Sequence, residues 1–301
     1  MLIAIAATPA VAIPTIKALL ASKHTIAFLI TQPDRPSGRG QVLTPTEVAL
    51  WAAQNEIPVF KPEGHSETLS LLSGVDLLLT IGYGVLLPQP ILSAPQKGCL
   101  NLHFSLLPRW RGAAPVQRAI ESGDLLSGVT VFQLDEGMDT GPIYSSKRFA
   151  LDSDITSDEL FVELGELGVE AVLDSLEMIE NGVKPVPQTS VGVTRALKLS
   201  KEEGRIDWTE SAEIISRKVR AFTSSPGAWT LFRGSNLKID TPTVSDLVIN
   251  PCELLVQGRS LFIGTKTTAI EIGWITPSGK TRMSAQSWLN GIRLEPGERF
   301  G

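Results

Sequence analysis

The sequence predicts an α/β protein: a doubly wound, mostly parallel sheet followed by a small C-terminal β-barrel. Three observations carry that expectation. The N-terminal half strings together continuous apolar runs of strand length, such as LIAIA, TIAFLIT and DLLLTI, separated by segments of helical spacing. Strands apolar on both faces belong to parallel sheets covered by helices on either side. The last hundred residues change texture to short strand-like runs parted by turns such as Gln257-Gly258-Arg259, the pattern of a small barrel. A length of 301 residues also exceeds what one hydrophobic core usually serves. The boundary falls at Lys184-Pro185-Val186-Pro187 and the aperiodic stretch after it. Residues 1–187 make the first domain, 188–203 a linker and 204–301 the second domain.

In order, Leu2–Ala6 is a buried strand. The Ala-x-Ala that follows imitates a signal-peptide cleavage site, but no basic segment precedes it, and Pro9 and Pro14 interrupt a helix. A helix through Ile16–Leu20, a strand at Thr25–Thr31, a helix at Leu50–Gln54, a short strand at Pro58–Phe60 and a buried strand at Asp76–Ile81 come next. Cys99–Phe104 is another strand. The helix after it has Pro115 in its first turn and Gly123 past its end. Strand Gly128–Leu134 precedes a long helix over 152–182, which opens on the capping box Thr156-x-x-Glu159 and stops at Gly182. Its acidic row, Glu159, Glu163, Glu166, Glu170, Asp174 and Glu177, reads as a solvated face. Beyond the boundary, helix Ala212–Phe222 carries Arg217, Lys218 and Arg220. Strands at Trp229–Phe232, Leu237–Ile239, Glu253–Val256, Ser260–Gly264 and Thr268–Gly273, and a last helix at Met283–Leu289, complete the chain.

Composition narrows the class. The chain is 43% hydrophobic and 20% charged, as soluble globular proteins are. Its two cysteines, Cys99 and Cys252, form no disulfide framework and point to a reducing compartment. No run approaches the roughly 20 apolar residues of a membrane span, so a cytoplasmic protein is expected. The net charge of −5 is uneven: residues 1–203 carry 15 Lys and Arg against 23 Asp and Glu, and residues 204–301 carry 12 against 9. A mildly basic C-terminal part suggests a polyanionic partner.

The candidate site centres on Gly98–Gln117, GCLNLHFSLLPRWRGAAPVQ. In a strand, Asn101 and His103 share one face about 7 Å apart, and both can polarise an oxygen. A packed histidine–asparagine pair is the plainer alternative. The loop Asp135–Gly141, DEGMDTG, supplies carboxylates, and neighbouring strand ends of a parallel sheet would bring Asp139 to His103. A carboxylate favours imidazolium, and imidazolium with an asparagine amide stabilises a developing oxyanion, which fits acyl transfer or hydrolysis. Ser105 lacks the Gly-x-Ser-x-Gly elbow of a serine nucleophile. No Cys or His set with metal-ligand spacing accompanies the acidic loop, so no metal is expected. A Pro- and Gly-rich insertion, Gln32–Pro45, carries Arg35 and Arg39 and is either a solvated loop or a binding one.

With these residues assembled, the chain resembles the 10-formyltetrahydrofolate-dependent formyltransferases, and among them the methionyl-tRNA formyltransferase family. Asn101-Leu102-His103-Phe104-Ser105-Leu106-Leu107-Pro108 is similar to their Asn-x-His and Ser-Leu-Leu-Pro motif, and Asp135–Gly141 to their second catalytic loop. Arg109–Pro115, the Gln32–Gly40 loop, Lys201–Trp208 and Met283–Gln286 extend the resemblance over the whole chain. It implies a Rossmann-like formyltransferase domain and an OB-like, tRNA-binding C-terminal barrel. It also implies Asn101, His103 and Asp139 as the catalytic trio. Folate-site residues would be Ser105, Leu106, Leu107, Pro108, Tyr83 and Gly84, with the folate over Tyr83–Leu87 and Asp135–Asp139. Arg35 and Arg39 would bind tRNA. The implied cosubstrate is 10-formyltetrahydrofolate with no metal, the implied acceptor methionyl-initiator tRNA, and the expected state a monomer. A folate hydrolase, a small-amine or sugar N-formyltransferase and a non-catalytic RNA-binding protein are the alternatives. The chain departs from the family pattern at Ala7, at Phe104, where glycine is common, and at Gln41 and Val42, where basic residues are common.

Overall fold

A computed structural model describes residues 1–37, 40–223, 225–295 and 297–301. In chain order the first 197 residues form β1 (Leu2–Ala7), α1 (Ile13–Leu20), β2 (Thr25–Ile30), β3 (Arg35–Ser37), β4 (Val42–Thr44), α2 (Glu47–Gln54), β5 (Val59–Phe60), α3 (His65–Leu71), β6 (Leu77–Ile81), α4 (Gln89–Leu92), β7 (Cys99–His103), β8 (Arg111–Gly112), α5 (Pro115–Ser122), β9 (Leu126–Gln133), β10 (Ile143–Ala150), α6 (Ser157–Glu180) and β11 (Arg195–Ala196). The remainder forms α7 (Ala212–Ala221), β12 (Ala228–Phe232), β13 (Ser235–Val244), β14 (Leu254–Gln257), β15 (Ser260–Ile263), β16 (Ile270–Pro277), β17 (Met283–Ser284) and α8 (Ala285–Gly291). Two compact units result. One comprises Met1–Pro115, Leu126–Ala150 and Phe161–Leu197; the other comprises Val116–Leu125, Leu151–Leu160 and Lys198–Gly301.

The first unit is built on a seven-stranded sheet in the order β10-β9-β7-β6-β1-β2-β5. The strands from β5 to β7 are parallel, β9 pairs antiparallel with β7, and β10 pairs antiparallel with β9. The central strands are apolar on both faces because both are covered: every residue of β6 is buried, and Ile3, Ile5, Leu78, Leu100 and Leu102 are 1% exposed or less. Strand order reverses between β1 and β6, and in such sheets ligands settle beyond the carboxyl ends of the strands at that reversal. Gly82 turns the chain out of β6 at φ +56, where a Cβ would lie 2.7 Å from Cγ of Pro9. The long helix α6 begins as its capping box requires. Thr156 Oγ1 accepts from the Glu159 N–H at 3.3 Å, and the Glu159 carboxylate accepts from the Thr156 N–H at 2.9 Å. Gly168 on α6 allows close packing on Leu102 of β7.

Two expectations change here. The Gln32–Pro45 insertion is not a plain loop, because β3 and β4 pair in it as an exposed antiparallel hairpin. Of segment 188–203, expected as a linker, residues up to Leu197 belong to the first unit, where β11 pairs in parallel with β8.

The second unit is an antiparallel sheet in the order β12-β13-β16-β15-β14, with β17 paired to β16. It is the realised form of the expected small C-terminal β domain. Its core is aromatic: Phe300 packs on Trp208, Phe232 and Trp288 with ring centroids 5.7–6.2 Å apart. Such pairs contribute about 0.5–1.5 kcal/mol each beyond area burial. The buried Trp208 indole donates to Thr230 Oγ1 at 2.9 Å, so no polar atom of that ring is stranded. Among the described residues no helix is long and apolar enough to cross a membrane.

Candidate active site

A cavity of about 460 Å³ opens beyond the ends of β6 and β7, within the size range of small-molecule sites. Its long wall is Tyr83, Gly84, Val85, Leu86 and Leu87, the segment leaving β6; its polar end holds Asn101, His103 and Asp139. The three residues expected to act together are therefore brought together.

Asn101 is oriented by the neighbouring strand. Thr80 on β6 lies opposite it in register, and the Thr80 hydroxyl donates to Asn101 Oδ1 at 2.7 Å. With the oxygen engaged, the two Nδ2 hydrogens have no protein partner among the described residues and remain for a ligand.

His103 is 5% exposed, and its Nε2 lies 2.9 Å from the main-chain carbonyl of Trp110. A carbonyl only accepts, so Nε2 is the donor in this contact. The other ring nitrogen, Nδ1, lies 3.7 Å from Asp139 Oδ2. That separation exceeds a hydrogen bond. The other strong contact of Asp139 Oδ2 is the Gly112 N–H at 2.7 Å.

The route by which Asp139 arrives differs from the one expected. β9 runs antiparallel to β7, so its end lies beside Leu100, not beside His103. The loop after it folds back along β7, held by Asp135 Oδ1, which accepts from the Gly137 N–H at 3.1 Å and the Thr140 hydroxyl at 2.7 Å. Asp139 then sits at φ +52, and Trp110, whose carbonyl receives His103, at φ +63. Non-glycine residues held in the left-handed region cost free energy, and that strain concentrates at functional sites.

Other expected site residues fall elsewhere. Ser105, Leu106, Leu107 and Pro108 do not line the cavity. They form the turn behind it: the Ser105 hydroxyl donates to the Arg109 carbonyl at 2.6 Å, and Thr130 bonds the Ser105 carbonyl and the Leu107 N–H. Phe104 does line the cavity, and its ring meets Phe161 edge-on at 6.1 Å. Burial pushes the Tyr83 phenol above its ordinary value, although a hydrogen bond with Thr68 opposes this, so the ring is a neutral wall. Burial also pushes the Cys99 thiol up to about 12, which removes it as a nucleophile. Arg35 is exposed on the hairpin, its Nη2 donating to Gln32 Oε1 at 2.6 Å. Arg39 lies outside the described residues. Among the described residues no group of three or more His, Cys, Asp or Glu could hold a metal ion.

Sequence reasoning missed Thr80 and the Trp110 carbonyl. Thr80 is one polar residue inside an apolar strand, and that interruption was a readable signal. A main-chain carbonyl leaves none.

The formyl transferase family matches residues 1–176, and the formyl transferase C-terminal domain matches residues 198–293. A methionyl-tRNA formyltransferase from Salinispora tropica is 40% identical over 305 residues, covering 99% of each chain. Among solved structures, a methionyl-tRNA formyltransferase from Clostridium thermocellum superposes with a TM-score of 0.61 at 18% identity, over 86% of this chain and all of that one. HypX from Aquifex aeolicus in complex with tetrahydrofolic acid superposes with a TM-score of 0.64 at 23% identity, over 86% of this chain and 46% of that one, so this chain spans about half of its length. The two structures share the fold, and the end-to-end identity goes further: the chain belongs to the methionyl-tRNA formyltransferase family of formyl transferases.

Proposed function

We propose that the chain transfers a formyl group from 10-formyltetrahydrofolate to the α-amino group of methionyl-initiator tRNA, for translation initiation. The convergence of Asn101, His103 and Asp139 on one cavity supports it most directly, in a chain 40% identical end to end to a protein of that name. The apolar wall at Tyr83–Leu87 suits a flat heteroaromatic ring, and the polar end suits the formyl carbon it carries. The reading assigns the oxyanion to two donors, the Asn101 amide and the His103 imidazole, and the proton to one acceptor, the Asp139 carboxylate, and routes no step through a metal. Ser105–Pro108 act from behind, by fixing the turn that carries the Trp110 carbonyl.

In this reading the amine nitrogen attacks the formyl carbon, a new C–N bond forms, and the bond from that carbon to the folate nitrogen breaks. The Asn101 Nδ2–H and a His103 Nδ1–H donate to the oxygen as it gains charge. One such donor is worth about 3 kcal/mol. Asp139 receives the proton the amine releases, and the departing folate nitrogen takes a proton in exchange. Arg35, on its exposed hairpin, and the mildly basic C-terminal region are proposed to meet the tRNA backbone. The protein is read as a cytoplasmic monomer.

The test is an assay with 10-formyltetrahydrofolate and charged initiator tRNA, following formyl-methionine. Wild-type turnover is expected. His103→Ala should lower kcat by about 100-fold or more, and Arg35→Ala should raise the KM for tRNA alone. Folate turnover without tRNA formylation would turn the reading to a hydrolase. Formylation of an amino sugar instead would turn it to a small-amine transferase, and tRNA binding without turnover to a silent binder.

A further inference from the structure

Gln188 lies at the start of the segment expected as a linker, and every polar atom of its side chain is engaged. Its Oε1 accepts from Arg111 Nε at 3.1 Å and Nη2 at 2.6 Å. Its Nε2 donates to the Asp139 carbonyl at 2.9 Å and to the Gly141 carbonyl at 2.8 Å. Arg111 follows directly on Trp110, whose carbonyl receives His103; Asp139 is the partner facing Nδ1 of the same ring. One amide thus spans the two loops that meet His103 from either side. The strap continues downstream. Thr194 Oγ1 accepts from the Trp110 N–H at 2.8 Å, its carbonyl accepts from the Arg111 N–H at 3.0 Å, and the Ala196 carbonyl accepts from the Ala113 N–H at 2.8 Å.

We propose that Gln188 is a positioning residue for the formyl transfer, setting the separation between the Asp139 carboxylate and the His103 ring by bonding both of their loops. The inference rests on the function proposed above. Two considerations favour this role over simple packing. Gln188 is only part-buried and contributes little apolar area. Its four contacts also divide evenly between the two loops, and both loops hold a residue at positive φ that needs outside support.

Two variants of the full chain test it. Gln188→Met keeps the shape and removes all four bonds; Gln188→Glu keeps the acceptor toward Arg111 and removes both donors to the Asp139 loop. Both should lower kcat by about 10- to 100-fold, as misplacement at a reacting centre does, with each KM moving by less than about threefold. In the free protein, amide exchange across 134–142 should accelerate by about tenfold or more while β6 and β7 stay unchanged. Unchanged exchange in that loop, wild-type kcat in Gln188→Met, or full recovery in Gln188→Glu would each overturn the proposal. Because exchange needs no substrate, it decides the matter even if the wild type forms no formyl-methionine, an outcome that would overturn the function instead.

Discussion

The Asn101 amide illustrates how a strand prepares a donor. Left alone, an asparagine on a strand rotates its amide between two orientations. The Thr80 hydroxyl holds the oxygen, so the NH₂ is the end that meets a ligand. Thr80→Val keeps shape and burial and removes that bond together with the hydroxyl's 3.1 Å contact to the Leu100 carbonyl. It should lower kcat about fivefold, the worth of one hydrogen bond of roughly 1 kcal/mol, with thermal stability nearly unchanged; a kcat equal to wild type would show that the amide is oriented by something else. At this scale the sequence was informative about which residues matter and less so about their partners. Asn101 and His103 could be paired by their spacing of two, because strand geometry is periodic. Which nitrogen of His103 is free could not, because the Trp110 carbonyl that binds Nε2 lies in a turn with no repeating pattern.

Elements were legible where burial imposes a pattern and illegible where it does not. The runs at Leu2–Ala7 and Leu77–Ile81 announce themselves because both faces are covered. The direction of β9 does not, since an apolar strand reads the same in either sense, and that direction changes how Asp139 reaches the site. The short strands β8 and β11, two residues each, lie below any detectable periodicity. Their pairing nevertheless demands a particular residue. Gly112 sits at φ +125, and a Cβ there would lie 2.5 Å from the Ala196 carbonyl oxygen. Gly112→Ala must push β11 away and displace the N–H that Asp139 accepts from. The expected result is a kcat reduced by tenfold or more together with a melting temperature several degrees lower, measured by steady-state kinetics and calorimetry.

For the whole molecule, acidity should erode stability in two stages. Burial holds the His24 imidazole below its ordinary 6.5, although Glu180 draws it upward. A depressed histidine means the unfolded chain takes up its proton first, so this contribution is intact above pH 6.5 and is lost as pH falls through the lower folded value. Glu203 follows, held below its ordinary 4.5 by the hydrogen bond from Arg118 against a burial penalty, and it gives up its contribution only at lower pH. His24→Gln should therefore flatten the decline in urea midpoint between pH 7 and 5 while leaving the decline below pH 4 in place; an unchanged upper stage would assign it to other groups. The strap from Gln188 to Ala196 also bears on how this enzyme can be divided. A fragment cut at the proline-rich sequence, where composition suggests the natural seam, would keep all seven strands of the large sheet and discard the amide and the carbonyls that brace both reactive loops. Any fragment or chimera meant to keep that bracing has to carry the chain through Leu197.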